Sequence, residues 1–372
     1  MKILITGGAG FLGTRLAHTL LQAGTLRGQA ITQLMLADLV APRDATLLAD
    51  PRVRHHAGDL LANIPTLMAE RWDAVFHLAS AVSGECEANF DLGLHANLDT
   101  TRSLLDACRA QTLAAHASPP GRPKAAHAPL GGSEPRAAGS VGAFEPPLFF
   151  FSSSVAVFGS DAAVPLPAVV RDDTLPTPQS SYGIHKFVCE QLVADYTRKG
   201  FIDGRAARLM TVSVRPGRPN GAASGFLSGL FREPLAGQAS ACPVDLDTRV
   251  ALSSPANTVA GIVAVAEASR EAFGGRTAIN LPALTVSVRE MLSALESLAG
   301  PEVMGLITHT PDAAVAGIVS AWPSRFESAR APRLGLVADA SFTAVLQQYV
   351  QDHAHAVSHP EARARLGLPP LA

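Results

Sequence analysis

The chain is poor in the residues that mark several classes of protein. Its four cysteines lie far apart without a C-x-x-C pair, so we expect neither a disulfide framework nor a zinc site, and a reducing cytoplasm fits best. Charged residues make up 17% and the net charge is -2, which favours neither nucleic acid nor an anionic membrane as a partner. We find no signal peptide and no apolar run near the roughly 18 residues of a membrane helix. The twelve histidines lack convergent ligands, so no metal is expected.

Apolar residues follow a regular alternation in the first third of the chain. They make up 47% of the 372 residues, enough for a sizeable core. Strand-like segments alternate with helical patterns, in the order 2–6, 11–23, 33–37, 53–57, 64–71 and 74–78. Repeated strand–helix–strand order is typical of a parallel sheet covered by helices on both faces. We therefore predict an α/β fold, a Rossmann-type doubly wound parallel sheet with a smaller C-terminal lobe.

Three glycines follow the first predicted strand. Residues 6–13 read TGGAGFLG, with Gly7, Gly10 and Gly13 evenly spaced and with Phe11 and Leu12 opening the first helix. A tight glycine turn lets backbone N–H groups approach a pyrophosphate at a helix N-terminus, and the last glycine lets helix and strand pack closely. The position between first strand and first helix favours dinucleotide binding over a plain turn.

Two carboxylates follow the next two strands. Asp38 closes the second strand, where a carboxylate accepts hydrogen bonds from an adenosine ribose and repels a 2′-phosphate. This position favours NAD over NADP, with a simple strand-end turn as the alternative. Asp59 and Leu60 follow the third strand and are candidates for the edge of the adenine site, although Gly58-Asp59 also makes a good turn.

A tyrosine and a lysine stand four positions apart on a predicted helix. This spacing places Tyr182 and Lys186 on one face of that helix. A free tyrosine has a pKa of about 10, and a nearby ammonium and a positive nicotinamide ring would lower it. Tyr182 could then take a proton from a substrate hydroxyl while hydride leaves for NAD. Ser154 ends a buried strand at the carboxyl edge of the sheet, where its hydroxyl could bond the reacting oxygen.

The chain beyond the first strands divides into an extension of the same domain and a second lobe. A helical pattern at 90–110 precedes an Ala/Pro/Gly/His-rich stretch at about 114–147, which we interpret as a loop insertion. Strand and helix patterns then resume at 147–151, 179–199 and 208–214. We predict an NAD-binding domain at 1–216 and a mainly substrate-binding lobe at 217–372, with about 256–285 returning to the first domain.

The motifs together resemble those of the extended short-chain dehydrogenases, the group that includes the NAD-dependent epimerases and dehydratases. The resemblance rests on the segments TGGAGFLG, FHLAS, FFFSSSVAVFG and YGIHK. It implies that Tyr182, Lys186 and Ser154 are catalytic and that the first two also contact NAD. It further implies that Ala79 lies near the cofactor and that Asn97 is the family's helix asparagine, which helps to order the active site.

Other segments are similar to one branch of this family, the D-erythronate dehydrogenases. These are RKGFIDGRAARL, SVRPGRPN, ACPVDLDTR and SAWPSRF. The resemblance implies NAD-dependent oxidation of a four-carbon sugar acid at C2, to the 2-oxo acid. An acid substrate needs a cation for its carboxylate, for which Arg215, Arg218 and Arg249 are candidates. Ser83 and Asn220 could bond its hydroxyls, although Arg215 could equally form a structural ion pair and Asn220 a turn.

Two rival functions and one assembly follow from the same resemblance. A sugar-nucleotide epimerase or dehydratase would hold NAD tightly and show no net cofactor reduction. A non-catalytic NAD-binding regulator is disfavoured, because it would not need a serine, a tyrosine and a lysine together. Family members often pair through two long helices, here at 90–110 and 179–199, which implies a homodimer.

Overall fold

The computed structural model describes residues 1–117, 145–217 and 223–370. Its strands are β1 Lys2–Thr6, β2 Thr25–Leu26, β3 Gln29–Ala30, β4 Gln33–Asp38, β5 Val53–Ala57, β6 Ala74–His77, β7 Leu148–Ser154, β8 Asp203–Leu209, β9 Thr211–Val212, β10 Ser240–Cys242, β11 Arg249–Ser253, β12 Ile279–Asn280, β13 Leu284–Ser287 and β14 Ile307–His309.

The helices lie between these strands. They are α1 Phe11–Ala23, α2 Ala45–Ala49, α3 Leu60–Leu67, α4 Ser83–Ala88, α5 Phe90–Gly93, α6 Thr100–His116, α7 Ser181–Arg198, α8 Phe226–Leu235, α9 Pro255–Glu267, α10 Arg270–Phe273, α11 Val288–Ala299, α12 Pro301–Met304, α13 Ala313–Ser320, α14 Phe342–Asp352 and α15 Pro360–Arg365. A π-helical turn, Leu94–Asp99, joins α5 to α6. Within the described part of the chain, no helix is long and apolar enough to cross a membrane.

Seven strands form the central sheet, in the order β12-β8-β7-β6-β1-β4-β5. Every neighbouring pair in it is parallel. The predicted fold class, a doubly wound parallel sheet, is therefore confirmed. Because all seven strands run the same way, their carboxyl ends meet at one edge, and the residues after β1, β4, β6 and β7 are brought together there.

The sheet separates two apolar layers because its side chains alternate. On β1, Ile3 and Ile5 belong to the layer that α1 and α9 cover, whereas Leu4 faces the layer that α3, α6 and α7 cover. Three adjacent buried phenylalanines on β7 continue this alternation, since Phe150 joins the first layer and Phe149 and Phe151 the second. Near-continuous apolar strands of this kind are typical of sheets that are buried on both faces.

A third apolar cluster lies outside these two layers. Its buried residues come from Val214 to Ala362 and include side chains of α8, α11 and α14. Helix α9 packs instead on the main sheet, and β12 pairs with β8 within it. The boundaries of two domains at 216 and 217 stay a prediction.

Two predicted segments differ from the structure at their ends. Helix α6 continues to His116, so residues 114–116 belong to it and not to the insertion. Residues 118–144 lie outside the described part of the chain. Helix α3 starts four residues before the predicted 64, because the Asp59 side chain accepts the N–H of Ala62 and caps the helix there.

The strand predicted at 208–214 was placed too late. β8 runs from Asp203 to Leu209, and only Thr211–Val212 continues beyond it. The arginines of β8 hid the strand, because arginine is rarely buried unless it is paired. Arg205 and Arg208 are both buried here, and each is paired with a carboxylate, on Asp203 and Glu190 respectively.

Asp203 is the shared counter-ion of three arginines at the amino end of β8. Its carboxylate pairs with Arg27, Arg205 and Arg270, and the Arg205 side chain is fully buried. Burial alone would raise the pKa of Asp203, but these cations lower it to about 2. A carboxyl with a lowered pKa stabilises the fold above its unfolded value of about 4, and this contribution is lost as the pH falls towards 2.

We therefore expect Asp203→Asn to lower the free energy of unfolding by about 2–4 kcal/mol at pH 7, because it leaves the buried Arg205 guanidinium and two partly exposed ones without their counter-ion. Urea titration measures this change. Asp195→Asn is the matched control, since Asp195 pairs with Arg198 at the exposed surface and should matter by less than about 1 kcal/mol. Equal loss in both variants would contradict the prediction.

Candidate active site

The glycine turn lies at the carboxyl edge of the sheet, between β1 and α1. Gly7 has φ +72°, in the left-handed region, and a Cβ there would lie 2.8 Å from the backbone N of Ala79. A Cβ on Gly13 would lie 2.1 Å from the backbone O of Gly7. Gly10 caps α1 without a side chain, so the first N–H groups of the helix have no side-chain acceptor. This bare cradle at a helix N-terminus fits a pyrophosphate.

Sequence reasoning missed a fourth glycine in this turn. A Cβ on Gly8 would lie 2.8 Å from Cβ of Leu36 on the neighbouring strand. The signal was present in the doubled glycine of TGGAG, but the evenly spaced glycines drew the interpretation away from it. Phe11 and Leu12 begin α1 and are partly buried, as their place behind the turn requires.

Asp38 is the last residue of β4 and faces the glycine turn. Its Oδ2 accepts the N–H of Ala9 at 2.9 Å, and its Oδ1 accepts that of Leu39 at 2.7 Å. The carboxylate is therefore held at the rim of the cradle, where its charge disfavours a second phosphate. This geometry fits NAD better than NADP.

Asp59 and Leu60 stand at the start of α3. Besides capping this helix, Asp59 bonds Nε2 of His95 through Oδ2 at 3.0 Å. The N–H of Ala62 and the His95 ring hold the pKa of Asp59 below its usual value. An ionised, fixed Asp59 is compatible with the predicted adenine edge, which stays a prediction.

Helix α7 brings the tyrosine and the lysine to the end of β7. It begins after Ser180, whose side chain accepts the N–H of Gly183. A Cβ on Gly183 would lie 2.1 Å from the O of Ala156, so only glycine allows α7 to pack this closely on the turn after Ser154. This approach brings Tyr182 close enough to Ser154 for the serine hydroxyl to favour the phenolate and so to lower the tyrosine pKa.

Lys186 lies beneath the tyrosine and is buried. Its Nζ donates to the O of Ser152 at 2.8 Å and stands 5.5 Å from the Tyr182 ring centroid and 5.0 Å from that of Phe151. One of its three N–H donors is thereby used, and two are left for other partners. The ammonium is thus fixed by the strand end and lies one helical turn from the tyrosine.

Burial dominates the protonation of both groups. It raises the pKa of Tyr182 to about 12, against the opposing hydrogen bonds of Ser154 and Ser80. It lowers the pKa of Lys186 to about 8. The expected lowering of the tyrosine pKa by Lys186 is therefore absent in the protein alone. The free-energy cost of removing a phenolate from water exceeds the stabilisation that Ser154 and Ser80 provide.

Asn97 organises the loop after β6. It is buried in the π-helical turn, and its Oδ1 accepts from the Ser80 hydroxyl at 3.0 Å and from the N–H of Ala81 at 2.8 Å. Its Nδ2 donates to the O of Ala81 and to Sγ of Cys86, both at 3.2 Å. Since the whole amide is engaged by this loop, Asn97 acts on the site by holding the loop in place.

Ser80 is a site residue that sequence reasoning did not single out. Its hydroxyl bonds Asn97 and acts on Tyr182 by lowering the pKa of the tyrosine. The signal was its position as the last residue of FHLAS, directly after Ala79, whose backbone faces Gly7. Only the folding of that loop over α7 places it at the tyrosine.

The candidate substrate residues are spread more widely. Arg215 follows the sheet and is electrostatically coupled to Tyr182. Ser83 is the first residue of α4, in the same loop region as Ser80. Arg249 is exposed at the start of β11, near the charges of Asp247 and Glu290, and no described contact brings it to Tyr182. The remaining two candidates, Arg218 and Asn220, lie outside the described residues.

Comparison with known proteins agrees with this geometry. Residues 3–281 match the NAD dependent epimerase/dehydratase family. The chain belongs to this family. The resemblance inferred from the motifs is thereby confirmed.

Two curated relatives show which members of the epimerase/dehydratase family the chain is similar to. The chain is 45% identical over 360 residues to a D-erythronate dehydrogenase of Cupriavidus necator, covering 95% of this chain and 98% of that protein. It is 38% identical over 353 residues to a D-erythronate dehydrogenase of Haemophilus influenzae, covering 94% and 99%. A solved nucleoside-diphosphate-sugar epimerase of Agrobacterium tumefaciens has a TM-score of 0.81 and 34% identity, covering 96% of this chain and 95% of its own.

Proposed function

We propose that this protein is an NAD-dependent dehydrogenase that oxidises the C2 hydroxyl of a four-carbon sugar acid, D-erythronate, to the 2-oxo acid. Two relatives named D-erythronate dehydrogenase match almost the whole chain, at 45% and 38% identity. The site supports the same reaction class, since an acid/base group and a hydroxyl donor meet beside a dinucleotide cradle.

The observation that carries an acid substrate is the environment of Arg215. Its Nη2 donates to the Ser224 hydroxyl at 3.0 Å, and among the described residues no carboxylate forms an ion pair with it. Burial and the nearby Arg232 lower its pKa, so the surroundings disfavour its charge. A partly buried guanidinium that is electrostatically coupled to Tyr182 is stabilised by an anion, and a substrate carboxylate would supply one.

The residues would divide the work of the reaction as follows. Tyr182 would accept the proton of the C2 hydroxyl, and Ser154 would donate a hydrogen bond to the same oxygen. Lys186 would support the phenolate and hold a cofactor ribose through its two remaining donors. Arg215 would orient the acid through its carboxylate. Ser83, Asn220 and Arg249 stay predicted substrate contacts.

The cofactor would be held by the glycine turn and the strand ends beside it. Gly7, Gly10 and Gly13 would cradle the pyrophosphate at the N-terminus of α1, with Phe11 and Leu12 behind them, while Asp38 would accept from the adenosine ribose. NAD, when bound, supplies the hydride acceptor and a positively charged ring. Further predicted contacts are Asp59, Leu60, Ala79 and Asn97, the last acting through its loop.

Two properties of the whole molecule follow from its surface and its thiols. The long helices α6 and α7 leave large apolar side chains exposed, among them Leu113, Ile184 and Val188, which supports a homodimer paired through these helices. All four cysteines are free and buried, which supports a reducing compartment, the cytoplasm.

NADH absorbance tests the proposed function directly. Purified protein with NAD should form NADH from D-erythronate and much less from L-threonate or D-threonate. The neutral four-carbon polyol erythritol should react poorly, because it offers Arg215 no carboxylate. If none of the three acids yields NADH although NAD binds, the proposed function is wrong.

Arg215→Met should lower kcat/KM for D-erythronate by about 50-fold, because one charge-assisted contact is lost. The preference for D-erythronate over erythritol should fall by the same factor. Arg215→Lys keeps the charge and should lose less. An unchanged preference in Arg215→Met would contradict the assignment of the carboxylate site.

The second candidate is a sugar-nucleotide epimerase, favoured by the structural likeness to the Agrobacterium tumefaciens protein of that name. It predicts that the purified protein retains NAD, binds a nucleoside-diphosphate sugar and forms no net NADH. Calorimetry with such a sugar separates the two functions.

A further inference from the structure

A buried histidine joins the two halves of the site through its ring. His77 is the last residue of β6 and is 1% exposed. Its Nδ1 lies 2.6 Å from Oγ1 of Thr6, and its Nε2 lies 2.8 Å from Oγ1 of Thr101. Both ring nitrogens are therefore hydrogen-bonded, one towards β1 and the other towards α6.

The donor and the acceptor in each of these hydrogen bonds follow from the bond that Thr101 makes to the backbone O of Asn97. Oγ1 of Thr101 lies 2.5 Å from the backbone O of Asn97, an oxygen that can only accept. The single hydroxyl proton of Thr101 is committed there, so the hydroxyl accepts from His77, and Nε2 carries the ring proton. Nδ1 is then an acceptor and takes the hydroxyl proton of Thr6.

The two ends of this series touch different parts of the site. Thr6 directly precedes the glycine turn, and its hydroxyl also receives the N–H of Ala79 at 3.4 Å, the backbone group that Gly7 faces. At the other end, Asn97 holds the loop that carries Ser80 to Tyr182. A continuous series of hydrogen bonds thus runs from the dinucleotide cradle to the loop beside the proposed acid/base.

The ring serves this series as a neutral group. Burial and the ammonium of Lys186 lower the pKa of His77 to about 3. Protonation would place a donor on Nδ1, facing a hydroxyl that already donates to it. The ring is therefore suited to hold geometry and not to move a proton.

We propose that His77 is a positioning residue, which couples occupation of the glycine turn to the order of Asn97 and of the loop that carries Ser80. The inference rests on the proposed NAD site and is independent of the sugar acid that is oxidised.

The test measures NAD affinity and hydrogen exchange in the protein with NAD as the only ligand. His77→Phe keeps an aromatic ring beside Phe149 and Phe151 but removes both hydrogen bonds. Calorimetry should show NAD binding about tenfold weaker, the equivalent of one or two lost hydrogen bonds. Hydrogen exchange should show NAD-dependent protection at the glycine turn but no longer at residues 80–86 and 94–101.

A second variant keeps the test independent of the histidine. Thr101→Val preserves side-chain shape and breaks the series at its Asn97 end, so NAD should again fail to protect 80–86 and 94–101. The double variant His77→Phe/Thr101→Val should lose no more than either single variant, because both act in one series.

Thr112→Val is the matched control on the same helix. Thr112 is also buried and donates to a backbone carbonyl, that of Phe201 at 2.8 Å, away from the site. It should lose similar thermal stability and keep NAD affinity and protection unchanged. If His77→Phe and Thr101→Val behave as Thr112→Val does, the histidine is merely structural and the proposal is overturned.

The outcomes separate this proposal from the proposed function. A wild-type protein that binds NAD but oxidises no acid overturns the substrate and leaves the coupling test intact. A wild-type protein that does not bind NAD overturns both.

Discussion

Tyr182→Phe should lower kcat for D-erythronate oxidation on the order of 10³-fold, while NAD affinity and thermal stability stay close to those of the wild type. The change removes only the hydroxyl that would accept the substrate proton. Stopped-flow or steady-state NADH formation measures the loss, and calorimetry measures NAD affinity. Activity within threefold of the wild type would remove Tyr182 from the reaction.

The pH dependence provides a second readout of the same residue. Because burial raises the pKa of Tyr182 to about 12, the protein alone holds it protonated at pH 7. The fraction able to accept a proton then grows about tenfold for each pH unit below that pKa. We expect wild-type oxidation to rise between pH 6 and 8, and the residual rate of Tyr182→Phe to lack this rise.

Lys186→Met should abolish most activity, on the order of 10²-fold or more, and yet make the folded protein more stable. Burial lowers the pKa of Lys186 to about 8 from an ordinary value near 10.5, so the folded state disfavours its charge by about 3 kcal/mol at pH 7. Methionine removes that cost and forfeits the hydrogen bond from the charged ammonium to Ser152, worth about 1.5–3 kcal/mol. Urea titration should show a net gain of about 1 kcal/mol.

The size of this stability difference depends on pH. A lysine whose folded pKa is lowered destabilises the fold in full below about pH 8, and the cost is relieved as the pH rises towards 10.5. The stability gap between Lys186→Met and the wild type should therefore narrow between pH 8 and pH 10. Lys199→Met, at the exposed end of the same helix, should change neither stability nor activity. A Lys186→Met protein less stable than the wild type at pH 7 would contradict the argument.

The free-energy cost of burying the Lys186 ammonium illustrates how groups suited to catalysis can lower the stability of the fold. The buried Lys186 ammonium lies 5.5 Å from the Tyr182 ring centroid, and Arg215, which has no carboxylate partner among the described residues, is electrostatically coupled to the same tyrosine. Burial disfavours the charges of the lysine and the arginine in the protein alone, and under the proposed function a cofactor and an anionic substrate would stabilise them. NAD and an anionic substrate should therefore stabilise the folded protein in proportion to the logarithm of their concentration.

Local pattern was sufficient for the first strand, the glycine turn and the first helix. Lys2–Thr6 and Phe11–Ala23 were predicted to the residue, because their apolar periods and the intervening glycines are signals carried by neighbouring residues. The parallel sheet followed from the same alternation. The order of the catalytic residues along the chain was also readable, since Tyr182 and Lys186 share one helix.

Contacts between residues distant in the chain decided the features that local pattern did not reveal. β8 was misplaced because its arginines are buried only through Asp203 and Glu190, and the second of these comes from α7. Ser80 and His77 gained their places from β1, α6 and α7, which are far apart in the chain. The sequence by itself determined the fold class, and it also predicted the dinucleotide turn and the acid/base pair. Only the tertiary structure decided which polar groups are buried, and how their charges are balanced, because burial depends on every element that packs around them.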